Sequence, residues 1–195
     1  MKKWIIPIIL IVILGFWGMG IYNSAVSLKE EATRSWGDVE NSYQRRNDLI
    51  GNLVKTVQGA ADFEKTTLTQ VIEARAKATQ TTIDPTNITP QQLEAFQQAQ
   101  GGLNSALSRL LVTIERYPEL KANQNFLELQ SQLEGTENRI NVTRDRFNKA
   151  VQPFNKHIKV FPNNLITGVF GFDEMAYFKS DPGAEKAPDV DFDFD

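Results

Sequence analysis

Phe126, Leu133, Ile140, Phe147, Phe154 and Phe161 fall at strict intervals of seven along NFLELQSQLEGTENRINVTRDRFNKAVQPFNKHIKVF. A seven-residue apolar repeat keeps one face of an α-helix against a partner, and a β-strand would scatter it over both faces. The spacing predicts a long amphipathic helix with a coiled-coil-like seam, capped at Asn123. Pro153 removes one hydrogen bond of its ladder and is expected to kink it. Upstream, Trp36, Tyr43, Ile50 and Val57 repeat the same interval, which predicts a first long helix reaching Gln58. Gly59 is suited to end it, and Asp62 to cap a second helix carrying Leu68, Val71 and Ile72. A third helix follows the loop TTIDPTNITP. Thr89, Pro90 and Gln92 form its capping-box start, and Leu93, Phe96, Leu103, Leu107, Leu110 and Ile114 form its apolar stripe. No segment alternates with the two-residue period of a half-buried strand. The expected fold is all-α, an antiparallel up-down-up-down four-helix bundle with long first and fourth helices.

The N-terminus carries a different signal. Lys2 and Lys3 precede an uncharged apolar run from Trp4 to about Ile21 in MKKWIIPIILIVILGFWGMGIYN. About 18 residues at a rise of about 1.5 Å give about 27 Å, close to the hydrocarbon thickness of a bilayer. Trp4, Trp17 and Tyr22 lie near the ends of the run, where amphipathic rings favour the membrane interface. The apolar core of a cleaved signal peptide is shorter and ends at a small-residue site, so an uncleaved signal-anchor, a single transmembrane helix, is expected. The lysines ahead of the span and the excess of acids in LKEEATRSWGDVE after it put the N-terminus in the cytoplasm and the bundle outside. The expected organisation is an anchor over 1–23, a bundle over 24–161, an apolar segment over 162–179 and an acidic tail over 180–195.

One position departs from the apolar seam. Val39 plus seven is Arg46, and plus fourteen is Leu53, so an arginine stands where the bundle expects a hydrophobe. If the first and fourth helices are antiparallel neighbours, Arg46 lies level with LEGTENRI. Glu137, four residues after Leu133, is then its natural partner, and Arg45, Asp48, Arg139 and Arg144 extend the charged band. The preferred reading is a partly buried ion-pair layer that sets helix register. The alternative is an internal site for an anionic ligand, which would make the protein a ligand-binding or sensory membrane protein.

These same stretches resemble the LemA family of bacterial membrane-anchored proteins. The resemblance rests on YNSAV, RRNDLIGNLVKTVQGAADFEK, VIEARAKA, ANQNFLELQSQLEGTENRINVTRDRFNKAVQPFNKHIKVFP and GFDEMAYF, and it covers nearly everything from Tyr22 to about Phe178. It implies a single N-terminal span followed by a bundle of long helices, and a role in membrane or envelope organisation. It supplies no reaction and no catalytic residues. Gly51 departs from the family's LIPNLV form, which has proline there.

Toward the C-terminus, FPNNLITGVFGFDEMAYF is unusually apolar. Leu165, Ile166, Phe170 and Phe172, with Val169, Met175, Tyr177 and Phe178, either lie in the lipid interface or cap the open end of the core. Asp173 and Glu174 favour the cap. His157 reads as a partly exposed helix residue. The tail SDPGAEKAPDVDFDFD has little to bury and reads as disordered. Asp189, Asp191, Asp193 and Asp195 lack the glycine and late glutamate of a calcium loop, so the tail reads as solvated. Alternation with Phe192 and Phe194 would also suit docking on a partner. The sequons at Asn87 and Asn141 carry little weight, the second being mid-helix.

Composition narrows function further. The chain has no cysteine and one histidine, which rules out thiol chemistry, disulfides and a multi-histidine metal site within one chain. A net charge of −3 gives no reason to expect nucleic-acid binding. No nucleophile–base pattern or phosphate-binding loop is present, so neither catalytic residues nor a metal or cofactor are expected. The expected partners are the bilayer and another membrane or envelope protein. Faces such as QQLEAFQQAQ suit either solvent or a lateral contact between copies.

Overall fold

The computed structural model describes residues 2–59 and 64–179, and every regular element among them is helical. The helices are α1 (Lys2–Gln58), α2 (Lys65–Gln80), α3 (Pro90–Ile114), the single turn α4 (Pro118–Lys121), α5 (Gln124–Lys159) and α6 (Asn163–Val169).

The apolar run and the first long amphipathic helix are one element. α1 has 57 residues, roughly 85 Å at about 1.5 Å per residue, and it passes the expected boundary at residue 23 without a break. From Ile5 to Met19 it is exposed almost throughout. From Ala25 onward it buries a stripe that includes Ala32, Trp36, Val39, Tyr43, Ile50, Leu53 and Val57. The helix ends where Gly59 N–H donates to Lys55 C=O at 3.3 Å.

The expected cap Asp62 lies outside the described residues. α2 begins after Glu64, whose side chain makes no capping bond. Its inner face holds Thr67, Leu68, Val71 and Ala78. Ile72, expected in the core, is exposed, because it stands about 100° round the helix from Val71 and falls outside the buried stripe of Thr67, Leu68, Val71 and Ala78. α3 starts with the full capping box. Gln92 N–H donates to Thr89 Oγ1 at 3.3 Å, and Thr89 N–H donates to Gln92 Oε1 at 3.1 Å. Gly101 and Gly102 are exposed and the helix runs through them, held by Ala99, Leu103 and Ala106 in the core. Asn123 Oδ1 caps α5 by accepting from the N–H groups of Asn125 and Phe126 at 2.9 and 3.2 Å.

The seven-residue seam of α5 is buried from Phe126 to Phe154, and the helix continues through Pro153. Phe161 is not part of it. The helix stops at Lys159, two residues short, and the Phe161 ring is 79% exposed while Ile158 takes the last inward position.

α5 lies antiparallel along α1, with His157 beside Ile21, Phe147 against Trp36 and Glu137 at Arg46. α2 folds back on α1, where Arg75 Nε donates to Asn47 C=O at 2.8 Å. A Cβ at Gly51 would stand 3.1 Å from the Arg75 guanidinium, so the glycine lets the arginine lie directly on the α1 backbone. α3 runs back along α2, and Gln100 Nε2 donates to Ala78 C=O at 3.5 Å.

The apolar interior is divided into two clusters. One, far from the N-terminus, is filled by Ile50, Leu53 and Val57 of α1, Val71 of α2, Leu103 and Leu110 of α3, and Phe126 and Leu133 of α5. All four longer helices contribute to it. The other contains Trp36, Val39, Tyr43, Ile140, Phe147 and Phe154, with Leu93 and Phe96 from the start of α3. There α1 and α5 are the long walls, and the start of α3 and irregular chain supply the rest. Ile83 and Ile88 of the loop before α3 are buried in this cluster, as are Met175 and Phe178.

Residues 172–179 therefore run as an extended strap along α5. Asn155 Nδ2 donates to Met175 C=O at 2.8 Å, and Met175 N–H donates to Asn155 Oδ1 at 3.0 Å. Asn148 and Phe178 repeat the same pair of bonds, both at 2.9 Å. The registers match physically. Seven helical residues rise about 10.5 Å, and three extended residues span about 10 Å. On its other side the strap donates from Ala176 N–H to Ile88 C=O at 3.0 Å. The segment expected to act as a cap or an interface is thus split. Met175 and Phe178 cover the core, Phe172 and Ile166 are half-buried, and Leu165, Val169 and Phe170 are exposed. The acidic tail, including Asp189, Asp191, Phe192, Asp193, Phe194 and Asp195, lies outside the described residues.

Candidate functional site

Arg46 sits between the two apolar clusters, 2% exposed. Its Nη1 donates to Asn104 Oδ1 at 2.8 Å and to Glu137 Oε2 at 3.2 Å, and its Nη2 donates to Gln100 Oε1. The guanidinium carbon lies 4.9 Å from the Tyr43 ring centroid, so the cation also rests on an aromatic face. Three helices thus meet on one side chain: α1 supplies the cation, α3 two neutral oxygens, and α5 the counter-charge. Arg46 Nε and Asn47 Oδ1 make no hydrogen bond. Glu137 is 43% exposed, so the pair is asymmetric, with a buried cation and a carboxylate that reaches water.

The layer is narrower than the sequence suggests. Asp48, Arg139 and Arg45 are exposed and line an open groove of about 960 Å³ between α1 and α5, together with Asp38, Asn138 and Arg146. Arg45 and Asp48 stand about 100° and about 200° round α1 from the inward Arg46, which turns both toward the groove. Arg144 lies two turns along α5 from Glu137. There it donates from Nη2 to Lys179 C=O at 2.9 Å and covers the Phe178 ring at 4.9 Å, and so belongs to the strap.

Gln100 and Asn104 accept two of the arginine's three hydrogen bonds and were not singled out by the sequence. Their signal is nonetheless present. Gln100 follows Phe96 by four and Asn104 follows Gln100 by four, which places amides on the apolar stripe of α3. Asn148 and Asn155 likewise trail Phe147 and Phe154 by one residue at the seam's own interval. Among the described residues, no three His, Asp or Glu side chains form a group that could hold a metal ion.

The junction of the apolar run with the helical domain is also built from named contacts. His157 Nε2 is 3.0 Å from Ile21 C=O, and Asn163 Nδ2 is 3.3 Å from His157 Nδ1. The Tyr22 ring meets Phe170 and Phe172 edge-on, with centroids 4.9 and 5.6 Å apart. Trp17 is exposed on the apolar stretch. The side chain of Trp4 lies outside the described residues.

These features define a protein that is helical throughout its described regular elements, whose first helix is long and apolar enough to cross a membrane, and against which α2, α5 and α6 pack. The chain belongs to the LemA family, whose model matches residues 35–192. Among curated proteins it is similar to Magnetosome protein MamQ 1 and Magnetosome protein MamQ 2 of Paramagnetospirillum magneticum (strain ATCC 700264 / AMB-1). Each is 26% identical over 181 residues, covering 84% of this chain and 66% of the relative. It is also similar to Protein LemA of Metamycoplasma hominis, at 25% identity over 126 residues, 60% of this chain and 53% of that protein. The chain therefore spans just under two thirds of the MamQ proteins and about half of that LemA protein.

Proposed function

We propose that this protein is a non-catalytic, membrane-anchored scaffold of the bacterial envelope, holding a stiff helical domain at a fixed height above one membrane face for a protein partner. The observation that carries this reading is the continuity of α1. The same helix that offers an apolar surface from Ile5 to Met19 becomes the spine of both core clusters, with no linker between them. A domain joined to its anchor by a continuous helix keeps its orientation, which suits a structural role better than a tethered enzyme's. The helix directions support an up-down-up-down four-helix arrangement beyond Arg46, with coiled-coil-like seams on α1 and α5. The likeness to proteins named for the magnetosome supports service within a larger cell structure.

In this reading α1 is an uncleaved signal-anchor with Lys2 and Lys3 on the cytoplasmic side and the helical domain outside. The Arg46 layer acts as a register device. Glu137, Gln100 and Asn104 already take up both terminal nitrogens of the guanidinium, which supports a structural role over capture of an anionic ligand. The test is protease accessibility of an epitope placed after Asp195, in spheroplasts and again after lysis. Cleavage from outside is the expected result, and cross-linking in the same membranes should then capture a specific protein partner. Protection until lysis would reverse the orientation. Absence of a specific partner from cross-linked membranes, together with normal membranes after deletion, would overturn the scaffold reading.

A further inference from the structure

α6 has its polarity inverted. Thr167 faces inward, its hydroxyl donating to Ile158 C=O at 3.2 Å and to Asn163 C=O at 3.0 Å, while Leu165, Val169 and Phe170 are 61%, 83% and 60% exposed. Phe161, just before the helix, is more exposed than any of its aromatic neighbours in the core. From Val160 to Phe172 the chain carries no charged residue.

The place of this patch matters as much as its composition. α6 packs on α1 at the end of the apolar run, where a Cβ on Gly18 would lie 3.4 Å from Ile166 Cδ1 and where Tyr22 meets Phe170. Gly18 is about 6 Å along the helix axis from Tyr22. The exposed residues of α6 are therefore continuous with the exposed apolar surface of α1. The chain leaves this level at once. Phe172 is covered by Lys29, and the strap then climbs toward Trp36. Glu174, which argues against a lipid contact on sequence grounds, is paired with Lys159 at 2.6 Å.

We propose that Phe161, Leu165, Val169 and Phe170 lie in the lipid interface beside the anchor, making α6 a second membrane contact that fixes the tilt of the whole domain. Short apolar segments with rings at the headgroup boundary bind bilayers in this way. The proposal rests on the reading of α1 as a membrane anchor, and its test separates the two.

The chain has no cysteine, so single-cysteine variants take one probe each. The full chain carrying Val169→Cys, Leu14→Cys or Val112→Cys is labelled with an environment-sensitive fluorophore. Each is then reconstituted in phosphatidylcholine–phosphatidylglycerol vesicles containing lipids with quenchers at shallow or deep positions. The expected result is a blue shift and loss of fluorescence at position 169 with shallow quenchers and at position 14 with deep ones, and no loss at position 112. Quenching at 14 without quenching at 169 overturns this proposal and leaves the anchor intact. A blue shift at 169 that lipid quenchers do not touch assigns the patch to contact with a second copy, and also overturns it. Quenching at neither position overturns the anchor reading and this proposal together.

Discussion

Phe178 stacks on Trp36 with ring centroids 5.8 Å apart and planes 12° from parallel, joining the last described segment of the chain to the middle of its first helix. Phe147 closes the cluster edge-on to both rings, at 5.4 Å from Trp36 and 5.7 Å from Phe178. The strap is thereby a wall of the core that α3 reaches only through its first turns, at Leu93 and Phe96. Phe178→Ala is expected to destabilise the protein by about 3–5 kcal/mol, the range for emptying a buried aromatic site. Denaturant unfolding of wild type and variant measures it. A change of under about 1 kcal/mol, within the usual range for surface positions, would mean the strap is peripheral.

The asparagine clamps predict a local effect distinct from that global one. Asn155→Ala removes both partners of the buried Met175 backbone, at a cost of about 1–3 kcal/mol for each group left unsatisfied. Hydrogen exchange at the Met175 amide should accelerate, while the amides of α2 keep their protection. Uniform acceleration across all helices would show instead that the strap and the helices open as one unit.

The asymmetry of the Arg46–Glu137 pair predicts unequal costs for its two halves. Arg46→Ala leaves the Gln100 and Asn104 oxygens without their donor, at an expected cost of about 1–3 kcal/mol for each. Glu137 reaches solvent, which screens its charge, so Glu137→Gln should cost no more than about 1 kcal/mol. Thermal unfolding in low and high salt distinguishes them. Equal losses in the two variants would contradict a buried cation with an exposed counter-ion.

Asp84 orders the loop that delivers Ile83 and Ile88 to the core. Its carboxylate accepts from the Thr86 hydroxyl at 2.7 Å and the Thr86 N–H at 2.9 Å. The Thr86 hydroxyl, then the Thr86 N–H, hold its pKa below the ordinary carboxylate value, with Lys29 adding a smaller pull the same way. A folded pKa below the unfolded one gives stability that is fully present above the unfolded value, about 3.9, and is lost as pH falls through the folded value. Asp84→Asn should therefore flatten that part of the acid-unfolding limb. An Asp84 titration followed by NMR that centres at or above 3.9 would contradict this.

Much of the architecture is local and therefore legible in residue order. The interval of seven names the inward residues of α5 from Phe126 to Phe154, and Thr89, Gln92 and Asn123 mark helix starts because capping involves residues only a few positions apart. The apolar length before Tyr22 identifies a helix able to cross a membrane, since span length follows from rise per residue. Even the meeting of Arg46 and Glu137 could be reached, because antiparallel helices of known ends fix relative height. Tertiary structure decided what periodicity does not encode. It chose Gln100 and Asn104 as the arginine's other partners, turned Asp48 and Arg139 to the surface, and sent Arg144 to the strap. It put Ile83, Ile88, Met175 and Phe178, none of them in a helix, into the core between α1 and α5. The physical reason is that a helix repeats its own geometry every turn. Contacts between irregular segments instead depend on which faces the long helices leave uncovered once they have packed.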